Sequence, residues 1–466
     1  MDIVSSADRM LGNAIEELEL RHHARRLARI GWTRALRGDG AGWAAGGMPV
    51  HAGNHVEVYI DGSAALPAIA AAVRSARRSA HVAGWAISPG FAMEREGRVV
   101  TVRELLAEAA ERVDVRVLVW EGAPFGLFHP SRGEARTALD TLLEGTRIQG
   151  ALDGHNRPMH CHHEKLVIVD GALAFVGGID LTDMAGDRYD GPHGDSEALG
   201  WHDAAACVRG PAAADVASHF AMRWEVTTGQ HLEADRPPDA AGESRVQVVR
   251  TIPERTYPPL AEGDFSTLQA YIGALRSASR LIYLENQFLW SAEIVAVLRS
   301  KLQAPPSDEF RLCVVLPMRP NNGNDDTRGQ LGVLIEADRD RRLLVGTIGP
   351  AGRRHPQVYV HAKVAVVDDR WLTIGSANLN EHSLFNDTEM NIVTDDRELA
   401  ISVRERLWSE HLGRDCAGVD PLEVIERWWR PLLREDEPAA ALRRLPSASR
   451  RSARLLGPVK GLFVDG

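Results

Sequence analysis

A histidine and a lysine separated by one residue occur twice in this 466-residue chain, each pair followed by an aspartate. The first set is His163, Lys165 and Asp170 in HCHHEKLVIVDGALAFVGGID. The second is His361, Lys363 and Asp368 in VYVHAKVAVVDDRWLTIGSANLNEHS. An ammonium supplies a point charge to anionic oxygens, and an imidazole gives or takes a proton near neutral pH. Beyond each aspartate stand Gly177-Gly178 and Gly375-Ser376, which allow close backbone approach. Asp180 and Asn378 follow. With Ser376 and Asn378 as further hydrogen-bonding groups, these residues describe a pocket for a phosphate-sized oxyanion.

One such set holds one histidine. Phosphodiester chemistry asks for two groups on opposite sides of phosphorus, one to attack or activate and one to protonate the leaving oxygen. Alone, His361 reads as an ordinary satisfied histidine in an apolar stretch; the second copy changes that. Two lysines would offset phosphoryl charge. No carboxylate cluster calls for a metal. Each histidine should have an acceptor on its far nitrogen. The candidates are Asp203 in GWHDAAACV, expected to orient His163, and Glu389 in NDTEMNIV, expected to orient His361. His160 and His162 invite a metal reading, but HCHH is short and a strand would aim both away from His163, so no metal site is assigned. Cys161, Cys207, Cys313 and Cys416 form no C-x-x-C pair.

LVIVD and VAVVD read as strands. Side chains alternate along a strand, so His and Lys of each set share a face and the aspartate points to the other, where it can brace backbone. The echo extends upstream. AAAVRSARRSAHVAGW (70–85) matches YIGALRSASRLIYLEN (271–286) as a helix end followed by a strand, and VRVLVW matches FRLCVV. Arg132-Gly133 and Arg328-Gly329 open two similar helical stretches. All recur at an offset of about 200 residues, the mark of a duplication. The fold expected is α/β: two similar α/β/α sandwich lobes related by a pseudo-two-fold, with mixed, mostly parallel sheets. The expected division is an N-terminal helical region at 1–50, a first lobe at 51–238, and a second lobe with a helical tail at 239–466. The joint is EADRPPDAAGES (233–244).

A net charge of -10 and a pI near 6.0 weigh against a general nucleic-acid binder. No apolar run approaches a membrane span, and the first residues resemble an amphipathic helix more than a signal peptide. The location expected is cytoplasmic, with peripheral contact at the inner membrane surface. The loop PFGLFHP (124–130) follows a predicted strand at its carboxyl end, where α/β sites collect. Phe125, Leu127 and Phe128 are candidates to touch lipid, opposite the polar PMRPNNGNDD (317–326).

The double motif resembles the phospholipase D superfamily, over roughly residues 51–430. GGIDLTDMAGDRYD, WHDAAACVRGPAAADVASHFAMRWE, IYLENQFLW and RERLWSEHLG resemble phospholipase D proper. The resemblance implies a metal-independent, cofactor-free enzyme that passes a phosphatidyl group through a phosphohistidine to water or an alcohol. His163 would be the nucleophile and His361 the general acid and base, with Asp170 and Asp368 counted among the catalytic residues. Lys165, Lys363 and Asn378 would hold phosphoryl oxygens, with Gly178 and Ser376 shaping the pocket. Glu285, Asn286 and Gln287 would line it. The departures from the commoner pattern are Gly178 and Asp180. The reaction expected is hydrolysis of phosphatidylcholine-like lipids to phosphatidic acid, with transphosphatidylation. The alternatives are a cardiolipin synthase-like transferase, a phosphodiesterase or nuclease acting on a nonlipid diester, and a lipid-binding scaffold without catalysis. The partners expected are a phospholipid at a membrane surface and an acceptor, with no nucleic acid, and the chain is expected to be a monomer.

Overall fold

The computed structural model describes residues 3–38, 41–124, 128–157, 159–189, 200–233, 237–320, 324–349, 358–435 and 441–445. Phe125, Leu127, residues 321–323 of the polar loop and most of the C-terminal tail lie outside the described residues.

One mixed sheet runs through the molecule. At its centre Val50–Ile60 pairs antiparallel with Ser244–Ile252. Outward on one side follow Ala204–Arg209, Leu173–Gly177, Lys165–Val169, Ser79–Gly84, Asp114–Trp120 and Gln149–Asp153. On the other side follow Glu389–Thr394, Trp371–Gly375, Val364–Val367, Leu281–Glu285, Arg311–Val315 and Leu343–Ile348, then Leu442–Arg444 at the edge. Each strand but the last has its counterpart at the mirrored place, so the duplication is visible in the pairing order itself. The sheet is mixed, with parallel pairing confined to the three outer strands that helices connect in each half. The strands nearer the centre pair antiparallel, because each motif strand turns back within three residues into the next.

The motif strands carry no polar alternation because both of their faces are covered. Leu166 and Ile168 enter a core shared by both halves, which also holds Val176, Ile374, Val246, Trp224 and Trp408. Val167 and Val169 face the opposite way, toward the core under helix Gly62–Ser75. Helices Pro211–Thr228 and Arg397–Leu412 hold equivalent places on the shared core. Because this core crosses between the halves, burial holds them as one body.

Asp170 and Asp368 end the motif strands with φ of 54° and 52°. Asp170 accepts from the backbone N–H groups of Arg77, Arg78 and Ser79 at 2.7–3.0 Å. Asp368 accepts from those of Ser279, Arg280 and Leu281, each at 2.7 Å. Their work is to fix the turn entering the neighbouring strand. They brace backbone and lie at the far end of the strand from the histidine, which corrects the expectation that they act catalytically. Phe128 is half-buried and packs on the Trp85–Trp120 cluster.

Candidate active site

The strands begin at Lys165 and Val364, so each motif histidine sits on the loop just before its strand and not within it. These loops lie along the opposite half. The His163 N–H donates to the Thr388 carbonyl at 2.9 Å, and the Thr388 N–H donates to Cys161 at 3.1 Å. On the other side Val358–Val360 pairs parallel with Gly200–His202. The N–H groups of His361 and Ala362 donate to the His202 carbonyl at 2.8 and 3.0 Å.

This lacing brings each histidine to the carboxylate of the other half. His163 Nδ1 is 2.9 Å from Glu389 Oε1. His361 Nδ1 is 2.6 Å from Asp203 Oδ2. The expected pairing of His163 with Asp203 and His361 with Glu389 is therefore exchanged. The reason is strand order: Ala204–Arg209 stands two strands from Lys165–Val169, about 10 Å away in the plane of the sheet. The two imidazole rings face each other with centroids 6.4 Å apart and planes at 68°.

Both histidines are buried, at 3% exposure each. Burial, then the charges of Lys165 and Lys363, hold His163 well below the ordinary histidine range. Burial, then Lys363 and Arg188, does the same to His361. Burial also pushes Asp203 up to about 6 and Glu389 up to about 8. Each histidine–carboxylate pair titrates as a unit, so these values describe when each pair takes up a second proton.

The halves differ around the pairs. Ser376 and Ser383 hydroxyls donate to Glu389 at 2.5 Å each. Ser376 thus orients the carboxylate, where a phosphate contact was expected. Asp203 has no such serine. Its Oδ1 accepts from the Ala204 N–H at 2.8 Å and lies so near Gly178 that a Cβ there would meet it at 2.1 Å. Gly178 is glycine because the carboxylate occupies the space of its side chain, and it too is not placed as a substrate ligand.

The lysines face different company. Each Nζ donates to its own histidine's carbonyl at 2.5 Å. Lys165 lies 3.7 Å from Asp180 Oδ2. Lys363 instead donates to the neutral Gln287 amide at 3.2 Å, which also accepts from Asn378 at 3.3 Å. Burial pushes Lys363 down to about 7. A phosphoryl oxygen arriving beside Lys363 would supply the anion that Asp180 already gives Lys165.

Of the residues 285–287, only Gln287 reaches this set. Glu285 sits between His202 and His411, at 2.9 and 2.6 Å. Asn286 accepts from the backbone of Phe288 and Leu379. Both are structural, contrary to the expected pocket lining. His162 turns to Thr388 and Asp153 and His160 to His382 and Asp387, so the two do not share a direction. Sequence reasoning missed Ser383 and Arg188. The Arg188 guanidinium is buried 3.8 Å over the Trp201 ring, which lies 4.5 Å from His361. Arg188 Nη2 donates to the Met184 carbonyl at 3.4 Å, and among the described residues its Nε and Nη1 have no hydrogen-bond partner. A buried guanidinium with two unpartnered nitrogens is costly unless an anion completes it, and that oddity appears only in three dimensions.

The family model "Cardiolipin synthase, PLD-like domain" matches residues 272–410. Phospholipase D A of Dictyostelium discoideum is 26% identical, over 77% of this chain and 35% of its own. Phospholipase D1 of Schizosaccharomyces pombe is 25% identical, over 81% and 36%. The chain thus spans about a third of the length of these two relatives. Among solved structures, the phosphatidylserine synthase of Haemophilus influenzae Rd KW20 is similar in fold, with a TM-score of 0.52 at 12% identity, covering 83% of this chain and 93% of that one. No helix among the described residues is long and apolar enough to cross a membrane. With its paired motif and its mirrored mixed sheet, the chain is similar to the phospholipase D superfamily.

Proposed function

We propose that this chain transfers the phosphatidyl group of a glycerophospholipid to an alcohol or to water, with the two motif histidines as the reacting groups. The observation that carries the reading is the pair of imidazoles 6.4 Å apart, each tied at Nδ1 to a buried carboxylate. That leaves both Nε2 atoms for a phosphorus between them. His163 Nε2 attacks phosphorus, the bond to the leaving alcohol breaks, and that oxygen takes the Nε2 proton of His361. The phosphatidyl group is then held on His163 by a P–N bond. An acceptor hydroxyl gives its proton to His361 and attacks phosphorus, and the P–N bond breaks. Lys363, Lys165 and Asn378 hold the phosphoryl oxygens.

The family model, described by cardiolipin synthase, supports transfer to an alcohol. The relatives named phospholipase D support a lipid diester as substrate. Hydrolysis of phosphatidylcholine is the same chemistry with water as acceptor. A second reading exchanges the histidines. Glu389 binds its proton at higher pH than Asp203, which places the second proton on the His163 pair and leaves His361 free to attack.

The test is a product assay with phosphatidylcholine, phosphatidylglycerol and a DNA oligonucleotide, each with EDTA, with and without a primary alcohol. Lipid cleavage with alcohol incorporated into product is the expected result; cleavage of DNA alone would overturn the proposal. Acid-quenched peptide mapping of the trapped intermediate finds phosphate on His163 in the first reading and on His361 in the second.

A further inference from the structure

A second cluster of ligating groups lies at the seam between the halves. His160 stands on the loop leading to the first motif. His382 and Asp387 bracket the π-helical turn His382–Asn386 of the other half, where the Asp387 N–H donates to the His382 carbonyl at 2.8 Å. A π turn brings residues five apart onto one face, and such turns recur at functional sites. His160 Nδ1 lies 3.3 Å from His382 Nδ1 and 3.3 Å from Asp387 Oδ1. One ligand atom from each of the three falls within 4.8 Å of the others.

We propose that His160, His382 and Asp387 bind a divalent first-row transition-metal ion of the Zn2+ type, which fastens the two halves beside the reacting histidines. Two imidazole nitrogens and a carboxylate are ligands of this class. Bonds of about 2.0–2.2 Å to one tetrahedral ion separate neighbouring ligand atoms by about 3.3–3.6 Å, which the two 3.3 Å spacings match. Two neutral Nδ1 atoms facing each other share one proton at most, whereas an ion uses both lone pairs. A second observation points to the same place. Asp387 is fully buried; its Oδ1 accepts from the Cys161 N–H at 2.9 Å, and among the described residues its Oδ2 has no hydrogen-bond partner. An uncompensated carboxylate oxygen is costly there, and a cation supplies what it lacks. The His160 side chain is 13% exposed, so ion and water have a way in.

The ion is a staple and not a reacting group: among the described residues, none of its three ligands is hydrogen-bonded to His163 or His361. It instead joins the backbone three residues before His163 to the segment two residues before Glu389. The other buried cluster of similar composition, His202, Glu285 and His411, is joined by hydrogen bonds of 2.6 and 2.9 Å and is fully buried, which leaves an ion no entry.

The full chain, freed of affinity tag and stripped with EDTA, is titrated with ZnCl2 by calorimetry and with CoCl2 by visible absorption. One equivalent per chain, d–d bands in the Co2+ form and a raised Tm are expected. His160→Ala and His382→Ala should each weaken Zn2+ by more than the ~10–100-fold that loss of an outer-shell partner costs. His160→Asn and His382→Gln serve if an alanine variant folds poorly. No binding by the unaltered chain, or equal binding by the variants, overturns the proposal. So does binding that His411→Gln abolishes and His160→Asn does not. None of these readouts uses turnover, so they stand apart from the proposed reaction.

Discussion

Asp203 and Glu389 each fix the tautomer of a histidine contributed by the other half. A buried carboxylate in that role is worth about 10⁴ in kcat where the histidine must be held in one tautomer. Asp203→Asn and Glu389→Gln are therefore expected to cut turnover by about 10³–10⁴ while the fold persists. Glu389 adds a stability signature. Its carboxyl is raised from 4.5 to about 8 by burial, so the folded state binds a proton more tightly than the unfolded one. The resulting stabilisation is full below the unfolded value and is lost as pH rises through about 8. Glu389→Gln removes that loss, so its Tm relative to the unaltered chain should climb between about pH 5 and 9. A difference that stays flat or falls would contradict a buried, proton-holding Glu389. Arg188 gives the third residue-scale prediction. With two unpartnered nitrogens over Trp201, it is poised to meet an anion, and Arg188→Met should raise KM for the diester more than Arg188→Lys, which keeps the charge. Equal KM values in both variants and the unaltered chain would assign Arg188 to packing alone.

The elements place these groups through tight tolerances at strand ends. Gly178 ends the first motif hairpin against Asp203, and a methyl there would displace the carboxylate, whose Oδ1 it meets at 2.1 Å. A shift of about 1 Å at a reacting group costs on the order of 10² in rate. Gly178→Ala should lose at least that much turnover, and a structure of the variant should show Asp203 moved from His361. Asp368 acts differently, since its partners are the N–H groups of Ser279, Arg280 and Leu281. Asp368→Asn, with one acceptor lost, should cost about 1–3 kcal/mol of stability by denaturant unfolding and leave the turnover of the folded fraction near normal. The two motif strands, their hairpins and the helix–strand echoes were legible in the sequence because β-branched runs and glycine turns are local signals. The partner of each histidine was not. Asp203 is nearer His163 in sequence, but lies two strands from it in the sheet, and only the crossing of the halves brings it to His361. Glu285 misled for a similar reason: a polar residue at a strand end reads as pocket lining, whereas its oxygens are taken by His202 and His411.

At the scale of the whole molecule, duplication gives two copies of one site and the divergence between them gives a reaction its direction. Two identical halves would give both histidine–carboxylate pairs the same intrinsic proton affinity, and the singly protonated site would favour neither histidine as the acid. The halves are not identical: Glu389 takes two serine hydroxyls, Asp203 takes a backbone N–H and a glycine's empty space, and burial raises Glu389 to about 8 but Asp203 only to about 6. Below about pH 6 both pairs hold a second proton, and no Nε2 lone pair is free to attack. Above about pH 8 both have lost it, and nothing protonates the leaving oxygen. Between those values one pair is acid and the other base, which is the state the transfer needs. The pH profile of kcat/KM for a lipid diester should therefore be a bell between about 6 and 8, its limbs belonging to the free enzyme. Asp203→Glu, which keeps the charge, should move the acid limb and leave the alkaline one in place. A profile that rises to a plateau and stays there would mean that the reaction uses one ionising group, and that the second histidine has some other task.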